Sequence, residues 1–434
     1  MNLRFLLPMG VLSMLADIRG NARAMLLFEP MWVVPFSLFS VYSSLYMRAL
    51  GLSSQQIGLV TSLTMATSML GAAISGHLTD RLGRRRTTLL FDLISWSAAT
   101  LIWAGAHDFW HFVLAALING LQTVPAVSWT CLLVEDYEPR ERLHIFTALQ
   151  MVGPLGAFVT PLAGLAIGQL GVVPGTRLLY IFAFLSMTAM FFGRNYFTHE
   201  SRAGRARTLA TQGHGLRDSL RDYGLSLRAL LANRSAVAYF ILTGLVWFRD
   251  GLTIPFSQLL LVDQLGMSER VLALFPAIGG VATLLVPAYA LPRLAEREPL
   301  GIGWGLGASA ASLAVLLLAP KGSFWAVAFS TLLGAAGTAA LIPALNTCWN
   351  NALGDQERAK VMAMSNTVWG LIKLPAGYLG GGLYALAPAW PFVVAMVLLV
   401  AGLPLLWLPG TGAGAGVGGE GGGRRVQRRA GAGS

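Results

Sequence analysis

Gly76-His77-Leu78-Thr79-Asp80-Arg81-Leu82-Gly83-Arg84-Arg85-Arg86 lies between two long apolar stretches, and its reading decides the fold. Glycine lets a chain reverse within a few residues. A cluster of arginines beside an apolar run holds that end of the run on one side of a bilayer. A charged, glycine-bounded turn in this setting is the short loop between two consecutive membrane helices.

The composition around it agrees. The chain has 434 residues, 55% hydrophobic and 12% charged, with a mean hydropathy of +0.62. A soluble protein of this length needs more charge to cover its surface, and fifty glycines suit close helix packing in lipid. The net charge of +11 does not imply nucleic acid, because the arginines sit in short loops between apolar spans. Cys131 and Cys348 both fall within expected spans, so no disulfide framework is implied.

A spanning helix needs about 20 apolar residues. Twelve stretches qualify: 26–48, 54–77, 87–106, 109–134, 143–169, 175–197, 236–263, 269–291, 300–319, 322–350, 360–386 and 389–408. Period-two alternation is missing, which argues against a membrane β-barrel. The basic residues alternate between loops. Arg81, Arg84 to Arg86, Arg140, Arg142, the cluster from Arg194 to Arg234, Arg293, Arg297, Arg358 and Lys360 fall on one side. Only Arg48, Arg177, Arg270 and Lys321 fall on the other. The positive-inside rule places both termini in the cytoplasm. Arg4 and the apolar run to Ala16 look like a secretory signal, but Asp17, Arg19 and Arg23 follow directly, so residues 1–23 are expected as a cytoplasmic interfacial segment.

The expected organisation is an N-terminal six-helix bundle over 24–197, a cytoplasmic linker over 198–235, a C-terminal six-helix bundle over 236–408 and a disordered Gly/Arg-rich cytoplasmic tail over 409–434. In the linker, Leu216, Leu220 and Leu227 are spaced for an amphipathic helix. The halves match at one constant offset: Glu141-Arg142 on Glu357-Arg358, Gln150 on Asn366, Gly164 on Gly380, and Asp80-Arg81 on Glu296-Arg297. Gly76 and Gly83 meet Pro292 and Pro299, so the second copy of the loop keeps only its acid–base pair.

The pattern Gly-x-x-x-Asp-Arg-x-Gly-Arg-Arg resembles the signature loop of the major facilitator superfamily of secondary transporters. The resemblance extends over residues 24 to 408 and implies an all-α membrane protein, with twelve transmembrane helices in two pseudo-symmetric six-helix bundles. It implies that Asp80 steadies the outward-facing state by contacting the other half. Gly76 is expected to let helices approach, Gly83 to allow the turn, and Arg81 to pair with Glu135 or Asp136. Arg84 and Arg142 complete the expected switch loop. Gly156 to Gly164 partly resembles the Gly/Pro motif of antiporters in this superfamily; small-residue packing against span 8 explains it as well.

Ionisable residues inside spans are costly and default to functional candidates. They are Glu29 in span 1, Arg249 and Asp250 in span 7, Lys373 in span 11 and Asp92 in span 3. By the superfamily resemblance, span 3 is peripheral, and Asp92 is expected to pair with the preceding arginines. Arg249 and Asp250 stand about 100° apart on a helix, so each is expected to need its own partner. Asp250 is expected near Lys373, either as a structural pair or as a protonation switch, with Glu29 as another proton site. Cavity candidates are Asn119, Gln122 and Trp129 in span 4, Ser257 in span 7, Asn346 (with Asn350) in span 10, and Asn366 and Trp369 in span 11. Amides beside tryptophan suit a polar organic solute, although plain interhelical hydrogen bonds explain each one singly.

The sequence offers no Walker loop and no metal-ligand spacing among its histidines. The expectation is a monomeric secondary transporter in the cell membrane, not an enzyme. It moves a small organic solute by alternating access, with no cofactor beyond a proton gradient, no metal and no nucleic-acid partner. Proton-coupled export is the leading mode. Uptake or facilitated passage of a sugar or organic anion, and a non-transporting sensor, remain alternatives.

Overall fold

The computed structural model describes residues 18–210, 230–231, 233–290, 298–353 and 358–407. Helices follow one another along the chain: α1 (Gly20–Ser40), α2 (Ser54–Leu82), α3 (Arg84–Ala104), α4 (Phe109–Val134), α5 (Pro139–Leu170), α6 (Val172–Phe197), α7 (Arg234–Asp263), α8 (Glu269–Leu272 and Leu274–Leu285), α9 (Glu298–Leu318), α10 (Phe324–Ala352), α11 (Arg358–Lys373 and Ala376–Leu386) and α12 (Trp390–Leu406). Among the described residues, nine helices are long and apolar enough to cross a membrane. The other three expected spans, α8, α11 and α12, are helical but interrupted or shorter. The expected amphipathic helix around Leu216 to Leu227, the tail, the segment before Ile18, and the second signature at Glu296-Arg297 lie outside the described residues.

Local sequence sets the helix ends. Ser53 and Gln56 form a reciprocal capping box that starts α2. Asp108 caps α4 by accepting from the Trp110 and His111 amides, and the His111 ring, with these bonds, holds its carboxyl below the usual range. Asn233 caps α7 in the same way. Gly83 (φ 85°) and Gly171 (φ 81°) occupy the left-handed region at the reversals from α2 to α3 and from α5 to α6. α1 begins at Gly20, earlier than the expected residue 26, and its regular helix is interrupted at Glu29, just before Pro30. α7 is broken by a short 3₁₀ turn at Ile254-Pro255-Phe256.

Large apolar side chains are bare around the outside: Leu162 and Leu185 are each 59% exposed and Leu318 82%. Such a continuous apolar skin suits hydrocarbon, not water. Inside, small residues bring backbones together. A Cβ on Gly305 of α9 would lie 2.9 Å from the Gly337 carbonyl oxygen of α10, the close approach that membrane packing relies on.

The two halves meet at α2 against α11 and at α5 against α8. The sequence offset pairs α5 with α11 and α2 with α8, so the repeat carries one contact onto the other. Both contacts lie toward the end opposite the arginine-rich loops. A Cβ on Gly58 would lie 2.2 Å from the Gly377 carbonyl oxygen, one on Gly381 2.4 Å from the Ser54 carbonyl oxygen, and one on Gly164 2.4 Å from the Arg270 carbonyl oxygen. One hydrophobic core there draws from both halves, including Tyr42, Ile57, Phe256 and Leu272. Toward the arginine-rich end the cores separate: one lies wholly within residues 230–406, another within 18–149. Among the described residues, a Cβ on Gly76 or Gly153 there would meet nothing within 4 Å. Among the described residues, the halves are therefore joined at the far end and parted at the arginine-rich end. Among the described residues, no close approach to Gly76 is present.

Candidate functional site

Gly83 turns the chain so that Arg84, the first residue of α3, points back beneath the last turn of α2. Its side chain is 0% exposed. The guanidinium binds Asp80 at 2.9 Å, reaches both carboxylate oxygens of Glu135 at 3.2 Å, and donates to the Thr79 carbonyl at 3.4 Å. Arg81 was expected in this role; it lies on the exposed outer side of α2. The correction follows from the turn, which directs the residue after Gly83 inward. Arg142 donates to the Tyr137 carbonyl at 2.9 Å.

Sequence reasoning missed Glu200. Its two carboxylate oxygens accept from the backbone amides of Arg84 and Arg85, at 2.9 and 3.0 Å, so an acid beyond α6 supplies the cap of α3. Ser201 hydrogen-bonds Glu135, and a Cβ on Gly83 would lie 2.7 Å from Glu200 Oε2. The only local signal was an acid in a short polar run, His199-Glu200-Ser201, after an apolar helix. Nearby, the Tyr137 hydroxyl donates to the Arg19 carbonyl at 2.6 Å and accepts from the Ala22 amide at 2.9 Å. Burial raises this phenol above its usual pKa.

At the closed end the halves are latched by side chains. Arg48 of the N-terminal half lies 3.5 Å from Asp263, which also accepts from the Tyr384 hydroxyl at 2.9 Å. Tyr42 donates to the Glu269 carbonyl at 2.9 Å, and Thr160 to the Ala273 carbonyl at 2.7 Å. Thr160 and Gly164 thus serve packing of α5 on α8.

Two charge clusters stand within the spans. In the N-terminal half, buried Asp92 pairs with Arg194 of α6. It does not pair with the arginines before α3, because its position on α3 faces α6 and the arginine there is equally buried. Glu29, at the interruption of α1, is half-buried and within Coulombic reach of both. In the C-terminal half, Arg249 Nη2 lies 2.6 Å from Asp250 Oδ1. The adjacent pair, expected to point apart, is joined because the long arginine side chain folds back across the angle between them. Lys373 interacts with Asp250 at Coulombic range, and its Nζ lies 5.7 Å from the centroid of the Trp247 ring. No carboxylate lies within 4.0 Å of it among the described residues. Lys373 stands one turn beyond Gly370, where an added Cβ would lie 3.4 Å from the Met69 side chain of α2.

The neutral candidates divide. Asn119 is buried and donates to the Ser95 carbonyl at 2.9 Å, tying α4 to α3, and Gln122 donates to Asn119 at 3.2 Å within α4. Trp129 packs on the core around Ile18 and Leu132. Ser257 donates to the Thr253 carbonyl across the break in α7. Trp369 is buried, donates to the Phe240 carbonyl at 2.9 Å, and contacts the rings of Phe240, Trp247 and Trp349. Asn346 and Asn366 are exposed.

Comparisons with known proteins point one way. A D-xylose transporter of Levilactobacillus brevis is 30% identical over 117 residues, 26% of this chain and 25% of that protein. A gentisate transporter of Corynebacterium glutamicum is 23% identical over 305 residues, 69% of this chain and 66% of that protein. The matches thus span from a quarter to just under two thirds of these relatives. The crystal structure of the nucleoside transporter NupG superposes with a TM-score of 0.67 at 14% identity, over 90% of this chain and 98% of that one, a likeness of fold. The model of the Major Facilitator Superfamily matches residues 31–372. With most of its length matched, and with the all-helical membrane fold described above, this chain belongs to the major facilitator superfamily.

Proposed function

We propose that the chain is a secondary transporter that carries a small organic solute across the cell membrane by alternating access, with both termini cytoplasmic and a proton gradient as the driving force. The supporting observation is the asymmetry of the seam between the halves: sealed at one end by backbone contacts and polar latches, parted at the other. Two helix pairs related by the internal repeat can close either end in turn. Nothing in this cycle needs a chemical change to the solute, a cofactor or a second copy of the chain.

Proton coupling rests on acids held in the spans, Asp250 beside Arg249 and Lys373, and Glu29 beside Arg194. A carboxylate whose cation partner is drawn away by a bound solute takes up a proton more readily. Export is the proposed direction, on the helix-5 resemblance. The two cations facing one acid in the C-terminal half favour a second reading, uptake of an organic anion together with protons. Purified protein in weak buffer, challenged with solute classes, tests the coupling. Proton release on solute addition, lost in Asp250→Asn and kept in Glu29→Gln, supports exchange through α7. Proton uptake with the solute supports the second reading. Binding with no proton movement overturns both.

A further inference from the structure

The C-terminal half carries an unbalanced charge in its centre. Arg249 and Lys373 are two cations, and Asp250 is the only carboxylate either meets among the described residues. Arg249 is 9% exposed. Its Nη2 is spent on Asp250, but its Nε is buried without a hydrogen-bond partner. A buried guanidinium donor left unmatched is unfavourable, as is a second cation without a counter-charge in a medium of low dielectric. Both needs are met by one additional anionic group.

The surface beside these cations is flat and stiff. Trp247 is half-buried. Trp369 lies against it with ring centroids 5.8 Å apart, and Trp369 is itself fixed by its bond to the Phe240 carbonyl. Lys373 sits over the Trp247 ring. A braced indole accepts a planar ring by offset stacking, and the ammonium above it is placed for a group at that ring's edge.

We propose that the solute is an aromatic carboxylate, its ring stacked on Trp247 and its carboxylate shared between Lys373 and Arg249. A neutral sugar would leave the excess cation unmatched, and a cationic solute would add to it. The proposal takes from the transporter reading only that the bound molecule is cargo; binding is measured without flux.

The test is calorimetric titration of the full-length protein in lipid nanodiscs, with benzoate as the probe and benzamide and cyclohexanecarboxylate as comparisons. Benzoate is expected to bind, and benzamide to bind about tenfold more weakly or worse, the scale of one lost charge-assisted hydrogen bond. Lys373→Gln should reduce benzoate affinity by a similar factor, and Lys373→Arg should restore it. Trp247→Leu should erase the preference for benzoate over cyclohexanecarboxylate. Asp250→Asn should tighten benzoate binding severalfold by releasing Arg249, a gain that no damaged fold produces. Benzamide binding as tightly as benzoate overturns the proposal, as does unchanged affinity in a Lys373→Gln protein that melts like wild type. Absence of benzoate heat in protein whose proteoliposomes move another solute overturns it alone. Benzoate binding in protein that moves nothing removes the transporter reading and leaves the site.

Discussion

Arg84 and Glu135 face each other at 3.2 Å with the guanidinium wholly shielded from solvent and the carboxylate nearly so. The pair ties the start of α3 to the end of α4. Breaking a buried pair from one side costs up to about 3–5 kcal/mol, and Asp80 at 2.9 Å offsets part of that loss for Arg84. Glu135→Gln should therefore lower the melting temperature of the purified protein sharply. Arg84→Lys should fare nearly as badly, because an ammonium cannot reach both Glu135 oxygens and Asp80 together. A Lys variant that melts like wild type would refute the forked geometry.

Glu200 caps α3 from the far side of α6. Loss of such a cap costs about 0.5–2 kcal/mol. Glu200→Ala should lower stability by that amount and raise hydrogen exchange first at the Arg84 and Arg85 amides. Gly83→Ala should cost about 1–2 kcal/mol from its left-handed backbone alone. Equal exchange at the two amides in Glu200→Ala and wild type would remove the cap.

The contact of Gly58 with Gly377 leaves no room for a side chain on either partner. Gly58→Val should prevent closure of the far end and shift the protein away from the conformation described here. With Cys131 and Cys348 replaced by serine, a reporter introduced by Asn366→Cys, at an exposed position of α11, measures this. Its alkylation from the arginine-rich side should fall roughly tenfold in the Gly58→Val background, equivalent to about 1.4 kcal/mol. An unchanged rate would mean that the seam does not govern access.

The ionic latch should matter much less. Arg48 is 44% exposed and Asp263 28%, and exposed pairs contribute at most about 1 kcal/mol. Asp263→Asn should change the same alkylation rate by a factor of about five or less, and raised salt should reproduce part of the effect in wild type. A collapse of the rate in Asp263→Asn would show that the latch, not the glycine seam, holds the far end shut.

The sequence was readable where the determinants are local. Gly83, the arginines around it and the apolar run lengths define the turn, the helices and their alternation without reference to distant residues. Partners were not readable. Arg84 replaced Arg81 because burial depends on which residue follows the reversal. Asp92 found Arg194, 102 positions away, because α3 and α6 are neighbours only in the folded bundle. Arg249 met Asp250 because the angle between adjacent helix positions constrains Cβ directions, and a long flexible side chain escapes that constraint. Glu200 carried no periodicity or spacing to mark it. Asn119 resembled a cavity residue in composition, and only its contact with α3 shows it is spent on packing.

The glycine seam between α2 and α11 also bears on how easily the molecule moves. Side chains that interdigitate must change rotamer before two surfaces can part, and each such change adds a barrier. Here backbone rests on backbone, and the carbonyls in contact remain in their own helices. At these glycines no side chains interlock, so the faces part there at the cost of the bond from the Tyr378 amide to the Ser62 hydroxyl rather than of a rotamer change. One structural device thus brings the two halves close and leaves few interlocked side chains between them along this seam.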